Sequence, residues 1–392
     1  MFVINTVAAD ARVIREASTL SAAGHEVFVI AMREGRQPER DALEGFTVLR
    51  VRRDPVRRNI ESTAPAPGIV ARIAEPPRLA WALADYTVRS FARAVALEAG
   101  VYHAHDLVTL PVAWAAARVR RARLVYDAHE LFTEIGRLGP VTRALLRVVE
   151  RTLIGRADRV VTVNESIAAE LSRRYGVATP AVVMNFPRTN GRSFSREGSP
   201  LRAKVGLPAG IPVVLYQGMF MPHRGLENLV RAARSFTRAH LVMMGWGALL
   251  EPLRELARKE GLEDRVHFTA GVPLAELLSY TAGADVGAIP YRNVGLNNYY
   301  TSPNKLFEYC AAGVPVVASR FPELRKVVEG LGIGVTFDPE QPGEIAAAVN
   351  GLLDDAAALA RARANVARAG PRFTWENESA KLLEVYRAVG AR

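Results

Sequence analysis

Two periodicities alternate along the chain. Short apolar runs rich in β-branched residues (FVIN from residue 2, HEVFVIA from 25, FTVLRV from 46, GVYHAHD from 100, RLVYDAHE from 123, DRVVTVNES from 158 and PAVVMNFP from 180) read as strands. Between them lie helical patterns: ARVIREASTLSAAG with Gly24 as its stop, then stretches near 77–98 and 111–120, the first of these preceded by a loop containing Pro65 and Pro67. Strands apolar on both faces and separated by helices belong to parallel sheets covered on both sides. Residues 188–210, rich in Arg, Ser, Gly and Pro, read as a linker. The alternation then repeats through IPVVLYQG, AHLVMMGWG, DRVHFTAGV, ADVGAIPY, GVPVVAS and GIGVTFD. A final helix over 376–390 follows FTWENES, with Thr374 or Asn377 as its cap. The expected architecture is α/β: two doubly wound, Rossmann-like domains, 1–187 and 188–375, facing across a cleft, with 376–392 packing back on the first. In such sheets ligands sit at the carboxyl ends of strands, and the chemistry is sought there.

Residues 301–319, TSPNKLFEYCAAGVPVVAS, read as loop, short helix, sharp stop and buried strand. Ser302 before Pro303 predicts a capped start, and Gly313 before Val314-Pro315 predicts the stop. Leu306, Phe307, Cys310 and Ala311 share the face that packs inward. Asn304 and Glu308 lie one turn apart on another face, with Lys305 beside them. The amides of 302–305 are donors at the positive end of the helix, a site for an anion, and Lys305 adds a mobile positive charge. Glu308, one turn deeper, is placed to accept from a diol such as a ribose. The alternative is a surface ion pair between Lys305 and Glu308, worth a few tenths of a kcal/mol.

Composition narrows the classes without choosing among enzymes. At 392 residues, 49% of them hydrophobic and 23% charged, the chain has material for two cores. The single Cys310 forbids an internal disulfide and a multi-cysteine metal site, and with no signal-peptide pattern at the start the expected setting is cytoplasmic. The net charge of +11 is carried almost wholly by arginine, and no lysine precedes Arg188. The basic residues are scattered, which argues against a nucleic-acid stripe.

SPNKLFEYCAAGVPVVAS resembles the nucleotide-binding signature of retaining glycosyltransferases of family 4, which have the GT-B fold. DARVIREASTLSAAGHEV, VYHAHDL, VYDAHE, YQGMFMPHRGLENLV and FTWENESAKLLEVYR agree with one branch of that family, so the resemblance spans nearly the whole chain. It implies transfer of a sugar from a nucleoside-diphosphate sugar, UDP-sugar first and GDP-sugar second, to a hydroxyl of a sugar, lipid-linked or small-molecule acceptor. It also implies retention of anomeric configuration, no essential metal, no separate cofactor, and a place in glycan, glycolipid or metabolite glycosylation. Glu308 matches the second Glu of the family motif and is assigned the ribose. Tyr300 stands where many relatives have the first Glu, leaving Asn298, Tyr299 or the amides after Thr301 to meet the donor sugar. Met219 replaces the first phosphate-binding cation after Gly218, while Arg224 occupies the second position and can grip a diphosphate in a bidentate way. The donor set is thus Gly218, Arg224, Val272 of AGVP, Ser302, Asn304, Lys305 and Glu308, with the glycines of MGWG as further points of close approach.

His129, ending RLVYDAH, resembles the family histidine that reaches the donor sugar, and with Arg224 and Lys305 completes the catalytic set. His105, Asp106, Asp127 and Glu130, at two strand ends, are the acceptor-side candidates. A zinc site from His103, His105 and His129 lacks any further ligand pattern and is set aside. In GPVTRALLRVVERTLIGR, Arg143, Arg147 and Arg151 recur every four residues. The preferred reading is an amphipathic helix on its own sheet; the alternative is peripheral contact of 141–156 with the inner membrane face. Two other functions stay open at this point: a nucleotide-sugar epimerase of the same fold, and a non-catalytic nucleotide-sugar or glycan binder.

Overall fold

The computed structural model describes residues 1–8, 10–52, 85–136, 138–208 and 210–390. The loop at Pro65 and Pro67 and the first part of the helix expected near 77–98 lie outside the described residues. Two compact units result: Met1–Thr133, Arg137–Val183 and Ser379–Arg392 form the first, and Glu134–Gly136 with Met184–Glu378 the second.

In the first unit α1 (Ala11–Ala22) precedes β1 (Phe28–Arg33), β2 (Arg40–Leu43) and β3 (Phe46–Arg52), and a helix α2 covers 85–96. Then come β4 (Val101–His105), α3 (Leu110–Arg120), β5 (Arg123–Ala128), α4 (Pro140–Leu153), β6 (Arg159–Thr162), α5 (Glu165–Tyr175) and β7 (Ala181–Val182). The expected first strand is reduced to one bridging residue. Phe2 pairs in parallel with Ile30 of β1 and Ala104 of β4 and so joins the series β2-β3-β1 to β4-β5-β6-β7. The N–H of Phe2 donates to His103 (2.9 Å) and that of Val3 to Ile30 (3.0 Å). The order reverses at this segment, as in a doubly wound sheet, and the carboxyl ends of β4 and β5 flank the reversal. β2 was not foreseen: RDAL has no apolar alternation, because it is a half-exposed edge strand paired antiparallel with β3. Side-chain caps fix two helix starts, Asp10 accepting from the amide of Val13 (3.2 Å) and Asn164 from that of Ile167 (2.8 Å).

The second unit contains α6 (Leu201–Val205), β8 (Val213–Met219), α7 (Leu226–Ala232), β9 (His240–Trp246), α8 (Leu250–Lys259), β10 (Val266–Thr269), α9 (Leu277–Thr281), β11 (Val286–Ile289) and α10 (Leu296–Tyr299). It continues through α11 (Asn304–Ala311), β12 (Val316–Ser319), α12 (Pro322–Val328), β13 (Gly334–Phe337), α13 (Pro342–Leu353) and α14 (Ala356–Ala369). Helix α15 (Trp375–Ala388) begins in this unit and ends in the first. All six strands expected here are present and parallel, in the order β10-β9-β8-β11-β12-β13. Both faces are filled. Val214 and Tyr216 of β8 enter one core with Leu226, Leu229 and Leu253, while Val213 and Leu215 enter the other with Leu306, Phe307 and Tyr309. Each fully buried Leu or Phe contributes roughly 1.5–3 kcal/mol, which holds short helices such as α11 that would not persist alone. The order reverses between β8 and β11, the place where such sheets take ligands. Leu201, inside the stretch read as linker, is fully buried in this unit's core.

Candidate functional site

At the reversal in the second unit, β8 ends in Gln217-Gly218-Met219 and β11 runs out through Pro290-Tyr291. Helix α11 approaches them. Its start is one residue later than Ser302-Pro303 suggests: Pro303, with φ −72° and ψ 145°, is the extended N-cap, and no side chain caps the helix. Its end is as read. Gly313 has φ +76°, its amide donates to Cys310 and that of Val314 to Tyr309, closing the last turn.

The helix is buried on more than its apolar face, since Lys305 and Glu308 are both enclosed. Lys305 is therefore not a mobile charge. Its Nζ lies 4.0 Å from the centre of the Tyr216 ring and 5.0 Å from that of Tyr291, and donates to the Tyr291 hydroxyl at 3.3 Å. The Arg224 guanidinium stacks on the other cation's partner, 4.2 Å from the centre of Tyr291. Two cations are thus held by aromatic rings, contacts worth about 0.5–2 kcal/mol each. Burial acts to raise the Tyr291 phenol, but Lys305 and Arg224 outweigh it and hold the phenol below its usual range. Gly218 has φ +116°, and a Cβ there would sit 3.5 Å from the Lys305 Nζ. A Cβ on Gly225 would lie 1.7 Å from the Pro290 carbonyl oxygen, so only glycine lets the turn after Arg224 meet the end of β11.

Glu308 accepts from Gln217 Nε2 at 2.6 Å, and Gln217 Oε1 accepts from Thr281 at 2.8 Å, a chain that fixes the carboxylate behind the helix tip. Asn304 is exposed and accepts from Asn185 (3.1 Å); Ser302 precedes the N-cap; Val272 is half-buried after β10 and packs on the second core. Gly218, Arg224, Lys305 and Glu308 come together around β8 and α11. Tyr216, Gln217 and Tyr291 were missed. Their signal was position: polar or aromatic residues at the carboxyl ends of the two central strands.

In the first unit His105, Asp106, Asp127 and His129 cluster at the ends of β4 and β5, with Glu130 half-buried at the exit. Asp127, expected to meet an acceptor, has no exposed surface. Its carboxylate accepts from Arg12 Nε (2.7 Å) and NH2 (2.8 Å) and lies 3.1 Å from His129 Nε2. Arg12 also donates to the Val183 carbonyl (2.7 Å) and pairs with Glu16 (3.0 Å). Asp127 is therefore an orienting group for Arg12 and His129. His105 is buried as well, its Nδ1 3.0 Å from His129 Nε2, and burial pushes it down to about 4, so it is neutral. His103 hydrogen-bonds Tyr386 of α15 (2.8 Å) and is held well below its usual range by burial. Burial pushes the Glu16 carboxyl up to about 8. Glu16, His103, His105 and Asp127 offer atoms within 4.8 Å of one another, a spacing that fits a metal, but the Arg12 guanidinium is the cation already among them.

Burial opposes the charge on His129, yet Asp106 (Oδ2 3.5 Å from Nδ1) and Asp127 outweigh it and raise it to about 10. A histidine raised on folding stabilises fully below its unfolded pKa, about 6.5, and loses that contribution as pH climbs through its folded value. The temperature of thermal unfolding should therefore fall between pH 8 and 10, above the Glu16 transition, and His129→Gln should flatten that limb. An unchanged slope in the variant would remove His129 as its source.

The sequence pattern described as Glycosyl transferases group 1 matches residues 199–370, and that of a Glycosyl transferase 4-like domain matches 9–186. A D-inositol 3-phosphate glycosyltransferase of Thermobispora bispora is 29% identical over 305 residues, 73% of this chain and 70% of that one. A glycogen synthase of Mycobacterium tuberculosis is 30% identical over 300 residues, covering 74% of this chain and 69% of its own. Among solved structures, sucrose-phosphate synthase of Thermosynechococcus elongatus superposes with TM-score 0.77 at 21% identity, over 97% of this chain and 93% of that one. The Anabaena protein HepE, solved with UDP-glucose, gives 0.75 at 18% over 99% and 98%.

Proposed function

Since the chain belongs to the GT-B glycosyltransferases of the group 1 and 4-like kind, we propose that it moves a sugar from a nucleoside-diphosphate sugar, a UDP-sugar before a GDP-sugar, to a hydroxyl acceptor with retention at the anomeric carbon. The observation that carries this reading is the caged pair of cations, Lys305 and Arg224, at the strand-order reversal beside Gly218 and the start of α11. A diphosphate leaving an anomeric carbon gathers negative charge. Lys305, Arg224 and the first amides of α11 form a preorganised positive cluster for it. Glu308, fixed by Gln217, accepts from the ribose diol one turn behind. Met219 supplies no charge, so Arg224 and Lys305 carry the diphosphate without the usual first cation. His129, oriented by Asp127 and Asp106, serves the donor sugar, and Asp106 with Glu130 serves the acceptor. That HepE was solved with UDP-glucose supports UDP as the nucleotide to try first.

Calorimetry with UDP and GDP, followed by product analysis with a UDP-sugar panel, tests the reading. Glu308→Gln should weaken UDP binding by about 10–100-fold, the worth of a charge-assisted hydrogen bond, with the fold retained. A new glycoside with the donor's anomeric configuration is the expected product. Isomerised donor without transfer would make the chain an epimerase, and binding without turnover would make it a nucleotide-sugar receptor.

A further inference from the structure

Helix α3 ends in a way that its own packing does not call for. Arg121, the residue that closes it, has φ +53° and ψ 36°, the left-handed conformation in which a Cβ is strained. Helices α5 and α6 end in the same conformation on Gly176 and Gly206, which have no Cβ to strain. An arginine at such a position keeps the strain and gains only its side chain. That side chain lines a cavity of about 670 Å³ at the amino ends of β5 and β6. Backbone strain of this kind gathers at ligand sites.

Three guanidinium groups meet at the cavity. Arg118 and Arg121 come from the end of α3 and Arg156 from the turn after α4, with Arg156 5.3 Å from the centre of the Trp114 ring. All three are exposed, and among the described residues none has a carboxylate partner. Their neighbours differ: Arg120 pairs with Glu98, and Arg123 with Asp158 at 2.7 Å. Asp158 borders the cavity too, but its oxygens are taken, one by Arg123 and the other by the amide of Leu124 (2.9 Å). Three like charges therefore converge without a protein counter-charge. The rest of the lining is apolar: Ala117 and Leu124 are buried, and Trp114 is half-buried.

Guanidinium forks match phosphate oxygens, and a cavity of this size holds a small molecule rather than a bare ion. Asp127 and His129 stand at the other end of β5, so the occupant is not the acceptor of the sugar. We propose that this cavity is a second, noncatalytic site for a soluble organic phosphate. Arg118, Arg121 and Arg156 hold the phosphate, and Trp114, Ala117 and Leu124 face its carbon part. The proposal stands apart from the donor site in the second unit.

Calorimetry with phenyl phosphate, one phosphate on one flat apolar ring, tests it on the full chain. UDP is kept in excess to fill the donor site, and inorganic phosphate is the comparison. One saturable site is expected, at least about tenfold tighter for phenyl phosphate, because only the ring buries carbon. Arg118→Gln should weaken binding by about 10–100-fold. Arg121→Gly separates binding from structure. Glycine relieves the strain, so the melting temperature should hold or rise while phenyl phosphate binding falls by a similar factor. Turnover of a UDP-sugar in phosphate-free buffer should match wild type in both variants, so failure of this site and failure of the transfer reading are told apart. If Arg121→Gly binds phenyl phosphate like wild type, or melts lower, the arginine serves the fold and the proposal is overturned. A signal that does not saturate overturns it too, as attraction by diffuse charge. So does binding of phosphatidylglycerol vesicles without any binding of phenyl phosphate, which would make the arginines partners of a lipid and not of a soluble phosphate.

Discussion

Lys305→Met should lower turnover on the order of 100- to 1000-fold while leaving the domain folded. Methionine keeps the length of the side chain and packs well between rings, so the Tyr216 and Tyr291 cage stays filled. What disappears is the positive charge 3.3 Å from the Tyr291 hydroxyl and beside Gly218. A diphosphate carries most of its extra charge only as the glycosidic bond breaks. The deficit should therefore fall mainly on kcat and less on donor affinity. The cost in stability is small, because a caged lysine contributes only about 0.5–2 kcal/mol through its rings and the desolvated charge itself is relieved. Steady-state kinetics with the donor identified by calorimetry measures this. A kcat within a few-fold of wild type would mean that the caged lysine does not meet the leaving group.

The second unit was legible to the strand because each of its six strands is a short apolar run bounded by glycine, proline or aspartate, the pattern that burial on both faces demands. The site was legible by residue type and not by posture. Sequence placed Lys305 and Glu308 on the first turns of a helix, but Tyr216 and Tyr291 come from two strands that meet only through the crossover connections, so nothing local announced that the lysine was pinned. In the first unit the polar ends of β4 and β5 signalled His105, Asp106, Asp127 and His129. Arg12 and Glu16 escaped notice for a physical reason. Spaced by four on α1, they look like an ordinary exposed pair, and only the chain reversal at Phe2 brings that face over Asp127. The same limit applied to α4, whose arginine spacing was visible but whose packing through Glu150 and Leu153, with Val141, Leu145 and Val148 left outside, was not.

Arg12→Leu should cost the first unit about 3–5 kcal/mol, the largest stability effect expected of any single replacement here. Asp127 is wholly buried, and the guanidinium satisfies both of its oxygens. Burial acts to raise the Asp127 carboxyl, but Arg12 first and then His129 outweigh it and hold it well below the usual range. Leucine fills part of the space and leaves the carboxylate with His129 and the neutral His105 in place of a cation that reached both of its oxygens. For a unit of this size, the melting temperature should fall by roughly 10 °C. The loss should depend on pH in a fixed direction. A depressed carboxylate stabilises fully above its unfolded pKa, about 3.9, and loses that contribution as pH falls through its lower folded value, so the gap between variant and wild type holds from neutrality to about pH 4 and narrows below it. Adding Asp127→Asn to Arg12→Leu removes the stranded charge and should recover a good part of the loss, a coupling that two independent sites would not show. Melting temperatures of the two single variants and the double variant, taken across that pH range, decide it. If the double variant is no more stable than Arg12→Leu alone, the buried pair is not what holds the ends of β4 and β5 against α1, and the orientation of His129 must come from Asp106.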